Sequence, residues 1–282
     1  MDNPVRRLLD GPSAYGSTRA LGLFRIALCA MVFMRYSKSL SLYQAEDILH
    51  MALGSAFFVF ASLALIGLFT RLALFGVFGV LFTMYFGAEF GVDHISRRSH
   101  HEYVLIVTSA LLAMSPSGAS FSVDRFLAVQ RADRAGRMPL EERGPLWTQE
   151  LLVLQLAAIY FWTAIDKSNA SFLTGFRLER IMEAVYAHSP LLPWFNARPF
   201  AAAGSVAVVA LEYALPIAIL CRWRLPWAIA AAMLLHAGFY VMLPVSVYSA
   251  TMMAFYILVV HPDRVHKWID DLVRPPRPST AA

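Results

Sequence analysis

Adjacent opposite charges, Asp166 and Lys167, end the apolar segment LLVLQLAAIYFWTAIDK, residues 151 to 167. A lysine accepts a proton near neutral pH only where burial or neighbouring cations lower its pKa. At the end of an apolar helix, a lysine can instead keep its stem in lipid and its ammonium in water. Position alone favours this second interpretation. Successive helical residues point about 100° apart, so Asp166 need not touch Lys167, and Lys167 stays the first candidate catalytic residue.

A second group of polar side chains lies in the segment DHISRRSHHEY, residues 93 to 103. Imidazole and carboxylate groups together ligate zinc or iron, which raises the question of a metal site. Adjacent histidines face apart on a helix, however, and the segment holds no H-x-x-x-H pattern. We therefore predict no metal here. His101 and Tyr103 are kept as candidates for hydrogen bonding or proton transfer.

Three ionisable residues fall inside apolar segments: Arg25 in LGLFRIALCAM, Glu212 in VALEYALP and His236 in MLLHAGFYVM. An ionisable group in hydrocarbon is costly, so it normally finds a partner inside the bundle or marks a functional site. A bridge between Arg25 and Glu212 would explain both residues structurally. A role in binding a ligand is the alternative, and the sequence leaves both open.

The composition indicates the elements that must position these residues. The chain of 282 residues is 58% hydrophobic and 15% charged, with a positive mean hydropathy, which is typical of a membrane protein. Spanning segments must be helices, because lipid offers no partner to an unpaired backbone amide and the period-two alternation of barrel strands is absent. We predict an all-α, polytopic helical bundle with about eight transmembrane helices. The candidate spans are 20–36, 52–69, 72–90, 102–115, 147–166, 203–221, 226–243 and 247–260.

The distribution of basic residues predicts the orientation of this bundle. With eight spans, most lysines and arginines fall on the side that carries both termini and the 116–146 loop, which the positive-inside rule assigns to the cytoplasm. The net charge of +5 therefore reflects membrane topology and does not indicate nucleic-acid binding. Lys167 and the 93–103 segment then face the outer side. The apolar, aromatic 167–202 segment is expected to form short interfacial helices there, which could roof a pocket.

No repeat or shift in composition marks a second domain. We predict a single membrane domain over residues 1–273, followed by a disordered, Pro-rich cytoplasmic tail over 274–282.

Several stretches resemble one known family. They are LGLFRIAL, HHEYVLIVTSALLAMSPSGASFSVDRF, IYFWTAIDKSNASFLTG, LEYALPIAI and HAGFYVMLPVSVYSATMMAFYILVVHP, which together extend over nearly the whole chain. Their order and spacing are similar to those of the horizontally transferred transmembrane (HTTM) family. This family includes the membrane domain of vitamin K-dependent gamma-carboxylase and bacterial relatives such as the sporulation-delaying toxin maturation protein.

The resemblance implies roles for particular residues. In the carboxylase, a lysine within Lys-Lys-x-x-x-x-Trp-x-x-Gly is regarded as the base that deprotonates reduced vitamin K, and DKSNASFLTG matches this stretch with Lys167 at that position. The family's His-x-Tyr, implicated in carboxylation, corresponds to His101 and Tyr103. The resemblance thus implies that Lys167, His101 and Tyr103 are catalytic and that the cofactor lies near Phe172 and Gly175. We add the intramembrane polar residues Arg25, Glu212 and His236 to the predicted cofactor-binding residues.

The implied cofactor is reduced vitamin K or a menaquinol-type quinol, and the implied location is the bacterial inner membrane, with the site facing the periplasm. Asp166 replaces the first family lysine, and the 282 residues do not include the family's large lumenal region, so we do not expect glutamate carboxylation as the net reaction. The expected partners are membrane lipid and a quinone. Two alternatives stay open: maturation of a small secreted peptide or toxin, with a small peptide or protein as substrate, and non-enzymatic binding of a lipid or small molecule.

Overall fold

A computed structural model describes residues 14–45, 47–90, 100–188, 190, 197–243 and 245–273. These residues form two compact units, which are treated separately below. The described part of the 39–148 unit consists of residues 14–29, Ser39–Thr148 and 257–273. The described part of the 149–256 unit consists of Ala30–Lys38 and Gln149–Tyr256. The units are interleaved along the chain. A single membrane domain over residues 1–273 stays a prediction.

Helices account for most of the described residues. Two short strands are present, β1 (Tyr15–Ser17) and β2 (Arg143–Pro145), together with single 3₁₀ turns at Leu42–Gln44, Gly87–Phe90 and Ser117–Ala119. The helices are α1 (Arg19–Tyr36), α2 (Ile48–Ile66), α3 (Thr70–Phe86), α4 (His100–Ala113), α5 (Val123–Arg134), α6 (Trp147–Lys167), α7 (Ala170–Leu173), α8 (Phe176–Tyr186), α9 (Arg198–Leu220), α10 (Leu225–Met242), α11 (Ser246–Val259) and α12 (Pro262–Val273).

The predicted helical bundle is confirmed, because a helix occupies each of the eight predicted segments. Within the described residues, three helices are both long and apolar enough to cross a membrane: α2, α6 and α9. Helices α3, α4, α10 and α11 are apolar but shorter. The count of eight spans therefore stays a prediction. Large apolar side chains are exposed along these helices, among them Val59, Trp162, Val206 and Leu234, as expected for surfaces that face lipid.

In the 39–148 unit, α2 packs on α3 and α3 packs on α4. The sharp turn between α2 and α3 depends on Gly67, which has a φ of 71°. A Cβ at this position would lie 2.4 Å from Cβ of Ser122 and 2.7 Å from Nη1 of Arg25. Only glycine therefore satisfies both the backbone conformation and the close packing of this turn.

Asp124 ties the turn before α3 to the start of α5. Its carboxylate accepts hydrogen bonds from the backbone N–H groups of Phe69 and Thr70, each at 2.9 Å, and from the Thr70 hydroxyl at 2.7 Å. The Ser122 hydroxyl caps α5 by accepting from the Arg125 N–H. The SFSVD stretch of the family resemblance thus has a structural explanation, because its Asp124 caps α3 and its Ser122 caps α5.

Arg19 joins the β-ribbon region to α12. The strands pair antiparallel, with Gly16 opposite Gly144, and were not predicted from the sequence. The Arg19 guanidinium donates to Glu142 and to Asp270, each at 2.5 Å. Burial works to lower the pKa of Arg19, but the hydrogen bonds to Asp270 and Glu142 outweigh it, and the pKa is raised above its usual value.

In the 149–256 unit, the short helices α7 and α8 pack against α9, and α9 packs on α10. The short helices predicted for the 167–202 segment are thus confirmed at Ala170–Leu173 and Phe176–Tyr186. Gly175 separates α7 from α8 with a φ of 80°, and a Cβ there would lie 2.5 Å from the Ala202 nitrogen. The glycine is required where this turn approaches the backbone of α9.

Candidate functional site

Lys167 is the last residue of α6, and its side chain reaches α9. Its Nζ lies 2.5 Å from Oε1 of Glu212, in the second half of α9. The Glu212 side chain is only 3% exposed, whereas that of Lys167 is 21% exposed. The pair thus places a positive and a negative charge at the edge of a buried interior. Glu212, considered above as a partner of Arg25, is bound by Lys167.

Two aromatic rings flank the ammonium group. The Nζ of Lys167 lies 5.9 Å from the ring centroid of Phe172 and 5.5 Å from that of Phe239. A cation this close to an aromatic face is attracted by the ring quadrupole. The rings therefore line the lysine with apolar surface while favouring a positive charge on it. In the match between DKSNASFLTG and the family stretch, Phe172 stands at the position of the family's tryptophan.

His236 lies on α10, next to the same phenylalanine, with its ring 5.7 Å from that of Phe239. Its Nε2 is 2.7 Å from the Tyr160 hydroxyl, and the Tyr256 hydroxyl donates to the oxygen of Tyr160 at 3.0 Å. All three side chains are at most 2% exposed. The chain of hydrogen bonds links α6, α10 and α11.

Two buried polar atoms of this cluster have no hydrogen-bond partner within the part of the chain that the structure describes. They are Oε2 of Glu212 and Nδ1 of His236. The Thr163 hydroxyl lies within hydrogen-bonding reach of the Glu212 carboxylate and 3.0 Å from the backbone carbonyl of Tyr160, so its single hydrogen can serve only one of the two. Buried polar groups are normally paired, so each unpaired one needs an explanation, and a bound ligand is one such explanation. We call Lys167, Glu212, His236, Phe172 and Phe239 the lysine–glutamate site.

The other candidate residues lie elsewhere. Arg25 belongs to the 39–148 unit, where its guanidinium donates to the carbonyls of Ser117 at 2.8 Å and Phe121 at 2.5 Å. This pairing holds the segment before α5, while Nε of Arg25 is buried without a hydrogen-bond partner among the described residues. Gly175 has the structural role described above. Their predicted part in cofactor binding stays a prediction.

The candidate histidine and its neighbouring tyrosine also belong to the 39–148 unit. His101 lies in the first turn of α4, and its side chain is outside the described part of the structure. Tyr103 is 51% exposed, with its ring centroid 6.1 Å from that of Tyr85. The structure therefore does not test their predicted catalytic roles.

Sequence reasoning missed Tyr160 and Tyr256. Tyr160 lies seven residues before Lys167, which places both on the same face of α6, and this spacing was an available signal. Tyr256 lies in an aromatic stretch that is typical of packing and of the membrane interface. Only the packing of α11 against α6 within this unit reveals that its hydroxyl completes a buried chain.

Exposed apolar helix faces and a buried lysine–glutamate pair define a helical membrane protein with an ionisable interior site. Residues 45–264 match the family model of the HTTM domain, which is most of the chain, so the chain belongs to the HTTM family. The family resemblance seen in the sequence is thereby confirmed. No curated protein and no solved structure matches the chain.

Proposed function

We propose that the protein is an integral membrane enzyme in which the Lys167–Glu212 pair accepts a proton from a quinol-type lipid. The observation that carries the proposal is the buried pair itself, flanked by Phe172 and Phe239. The HTTM domain is a membrane domain of the vitamin K-dependent carboxylase family, which supports this class of ligand.

The pair suits proton transfer better than an isolated lysine would. An ammonium cannot act as a base, but the Glu212 carboxylate can take a proton from Lys167 and leave a neutral amine beside a neutral acid. This shift creates no net charge, so a low-dielectric interior does not oppose it strongly. The amine then accepts a proton from a ligand hydroxyl. The negative charge left behind remains next to the Lys167 ammonium, which limits the cost of charge separation.

The residues present fit a quinol in three respects. Phe172 and Phe239 provide flat apolar surface, Glu212 offers a free carboxylate oxygen and His236 offers a free ring nitrogen. Aromatic surface with a few convergent polar groups is the usual composition of a cofactor site. A reduced quinone would supply an ionisable hydroxyl and a ring that reacts with dioxygen once ionised.

We further propose that the site faces the periplasmic side of a bacterial inner membrane, with both termini in the cytoplasm. The distribution of arginine and lysine supports this orientation. His101 and Tyr103 stay proposed catalytic residues, acting by hydrogen bonding or by donating a proton.

The direct test supplies purified protein in detergent with a reduced naphthoquinone, oxygen and bicarbonate, and follows quinone epoxide by mass spectrometry. Lys167→Ala and Lys167→Arg should each lower epoxide formation by about a hundredfold or more, because arginine keeps the charge but stays protonated. Asp166→Asn is the matched control: its side chain is exposed and adjacent, and the variant should keep wild-type activity. Folded wild-type protein that forms no epoxide would overturn the proposal.

A non-enzymatic binding protein is the second candidate, because an ion pair to Glu212 is also what a purely structural lysine would make. In that case Lys167→Arg should retain the charge, the pair and ligand binding. If the wild type and Lys167→Arg bind the quinone with equal affinity and neither turns it over, the result would favour a non-enzymatic binding protein. Maturation of a small secreted peptide is a further alternative that the site geometry does not single out.

A further inference from the structure

The hydrogen-bond chain that ends at His236 has a defined direction. Tyr256 donates its only hydroxyl hydrogen to the oxygen of Tyr160 at 3.0 Å. Tyr160 can then use its own hydrogen toward Nε2 of His236, which lies 2.7 Å away. A nitrogen that accepts a hydrogen bond carries no proton. This direction assigns the hydrogen of a neutral His236 to Nδ1, because the opposite arrangement, with Nε2 donating to Tyr160, would leave the Tyr160 hydrogen without an acceptor among these three side chains.

This places a hydrogen-bond donor where the fold does not use it. Nδ1 of His236 is buried and has no hydrogen-bond partner within the described residues, and the whole residue is 2% exposed. An unpaired buried N–H costs free energy, so its retention needs a reason. Phe239 and Tyr248 complete the surroundings of the ring, with centroids at 5.7 Å and 6.2 Å.

We propose that Tyr160 and Tyr256 are positioning residues that hold His236 in the Nδ1–H tautomer, so that this N–H donates to an oxygen of the ligand bound beside Lys167. The ligand class that fits is one with a hydroxyl that Lys167 and Glu212 can deprotonate and a further oxygen that accepts a hydrogen bond. The tyrosines act through the histidine and do not contact the ligand. The inference rests on the proposed function for the identity of that ligand, but the tautomer follows from the protein alone.

The tautomer is measured by ¹⁵N NMR of protein labelled at histidine, in detergent and without ligand. The His236 signals are identified by their loss in His236→Gln. The wild type should show a protonated Nδ1 and an unprotonated Nε2. Tyr160→Phe should give a mixture of tautomers, because Nε2 loses its donor. Tyr256→Phe should shift the tautomer in the same sense but less, because Tyr160 can still donate while its oxygen becomes free to accept from Nε2.

Tyr213→Phe is the matched control. It removes a tyrosine hydroxyl from the same unit, 3.1 Å from the Ser168 hydroxyl, and should leave the His236 signals unchanged. A wild-type His236 protonated at Nε2 would overturn the inference, as would a Tyr160→Phe variant that retains a pure Nδ1–H tautomer.

Ligand binding supplies the second readout, with menadione as the probe and quenching of tryptophan fluorescence as the signal. The loss of one donated hydrogen bond corresponds to a Kd about tenfold weaker, so Tyr160→Phe and His236→Gln should both show this change, and Tyr213→Phe should not. Unchanged binding in Tyr160→Phe would refute the positioning role. If the Nδ1–H tautomer is present but the wild type neither binds menadione nor forms epoxide, the proposed function fails, and with it the ligand assigned to this donor. Failure of the tautomer alone leaves the proposed function standing.

Discussion

At the scale of single residues, the lysine–glutamate site depends on where Lys167 points. Its stem leaves the end of α6 toward α9, so that its ammonium meets Glu212 and the rings of Phe172 and Phe239. Asp166, one position earlier, is exposed and points to another side of the helix. Asp166 stands where the resemblance places the family's first lysine, so this difference changes the surface next to the site. The contact between Lys167 and Glu212 does not involve Asp166.

The energetic link between Lys167 and Glu212 predicts strong coupling. Lys167→Met or Glu212→Gln alone should lower the free energy of unfolding by about 3 kcal/mol, near the low end for buried pairs, because Lys167 is 21% exposed. The double variant should lose clearly less than the sum of the two, with a coupling of about 1–3 kcal/mol. Unfolding in detergent measures the cycle, and additive losses would show that the two residues are not paired.

At the scale of elements, glycine turns and helix caps fix how the helices meet. Gly175 lets α7 and α8 close against α9, and Asp124 joins the start of α3 to the start of α5. Both features follow from local backbone chemistry, and each lies in a stretch shared with the family. Gly175 and Asp124 therefore have structural roles, in addition to any part these stretches play in the chemistry.

The turn at Gly175 gives a matched comparison with Gly136. Both have positive φ, of 80° and 61°, but a Cβ at Gly136 would meet nothing within 4 Å. Gly136→Ala should cost about 1 kcal/mol from backbone strain alone. Gly175→Ala should cost at least about twice as much, because the new Cβ collides with the backbone of α9. Thermal unfolding midpoints test this order, and an equal loss in both variants would contradict it.

Asp124→Ala should destabilise the 39–148 unit by about 2 kcal/mol, because the loss of the cap leaves the N–H groups of Phe69 and Thr70 without their acceptor. Asp133→Ala, on the exposed face of the same helix α5, is the control and should stay within about 0.5 kcal/mol of the wild type. Denaturation of both variants in the same detergent gives the comparison. A loss of similar size in both would show that Asp124 has no special role.

At the scale of the whole molecule, the exposed surfaces indicate which parts of the chain contact lipid and which contact water. The long helices α2, α6 and α9 expose large apolar side chains, whereas the basic residues gather in the connecting segments. This contrast is the pattern of a protein whose helices contact lipid and whose loops contact water. The orientation of the chain across the membrane can be decided by experiment.

The two cysteines are natural reporters of that orientation. Cys221 is exposed at the end of α9, beside Arg222, whereas Cys29 is buried. A membrane-impermeant maleimide should label Cys221 in inverted membrane vesicles and not in intact spheroplasts, because its loop is predicted to be cytoplasmic. Ser171→Cys, at an exposed position of α7, should show the reverse pattern in a Cys221→Ser background. Labelling of Cys221 from outside would contradict the predicted topology.

The sequence by itself determined where the helices lie, because each apolar run carries its own hydrogen bonds and must be helical in lipid. It also determined the family and identified Lys167, Glu212 and His236 as residues whose charge or polarity needs a partner. The count of spans could not be obtained in this way, because several apolar helices are shorter than a bilayer requires and packing determines which of them cross.

Only the tertiary structure decided which of these residues are partners. Lys167 binds Glu212, 45 residues away, and not its neighbour Asp166, while Arg25 binds backbone carbonyls. Tyr160, Tyr256 and His236 form one chain although they lie on three helices. The physical reason is that hydrophobic periodicity fixes which face of a helix is buried, whereas the rotation and height of one helix against another arise from side-chain packing between segments distant in sequence.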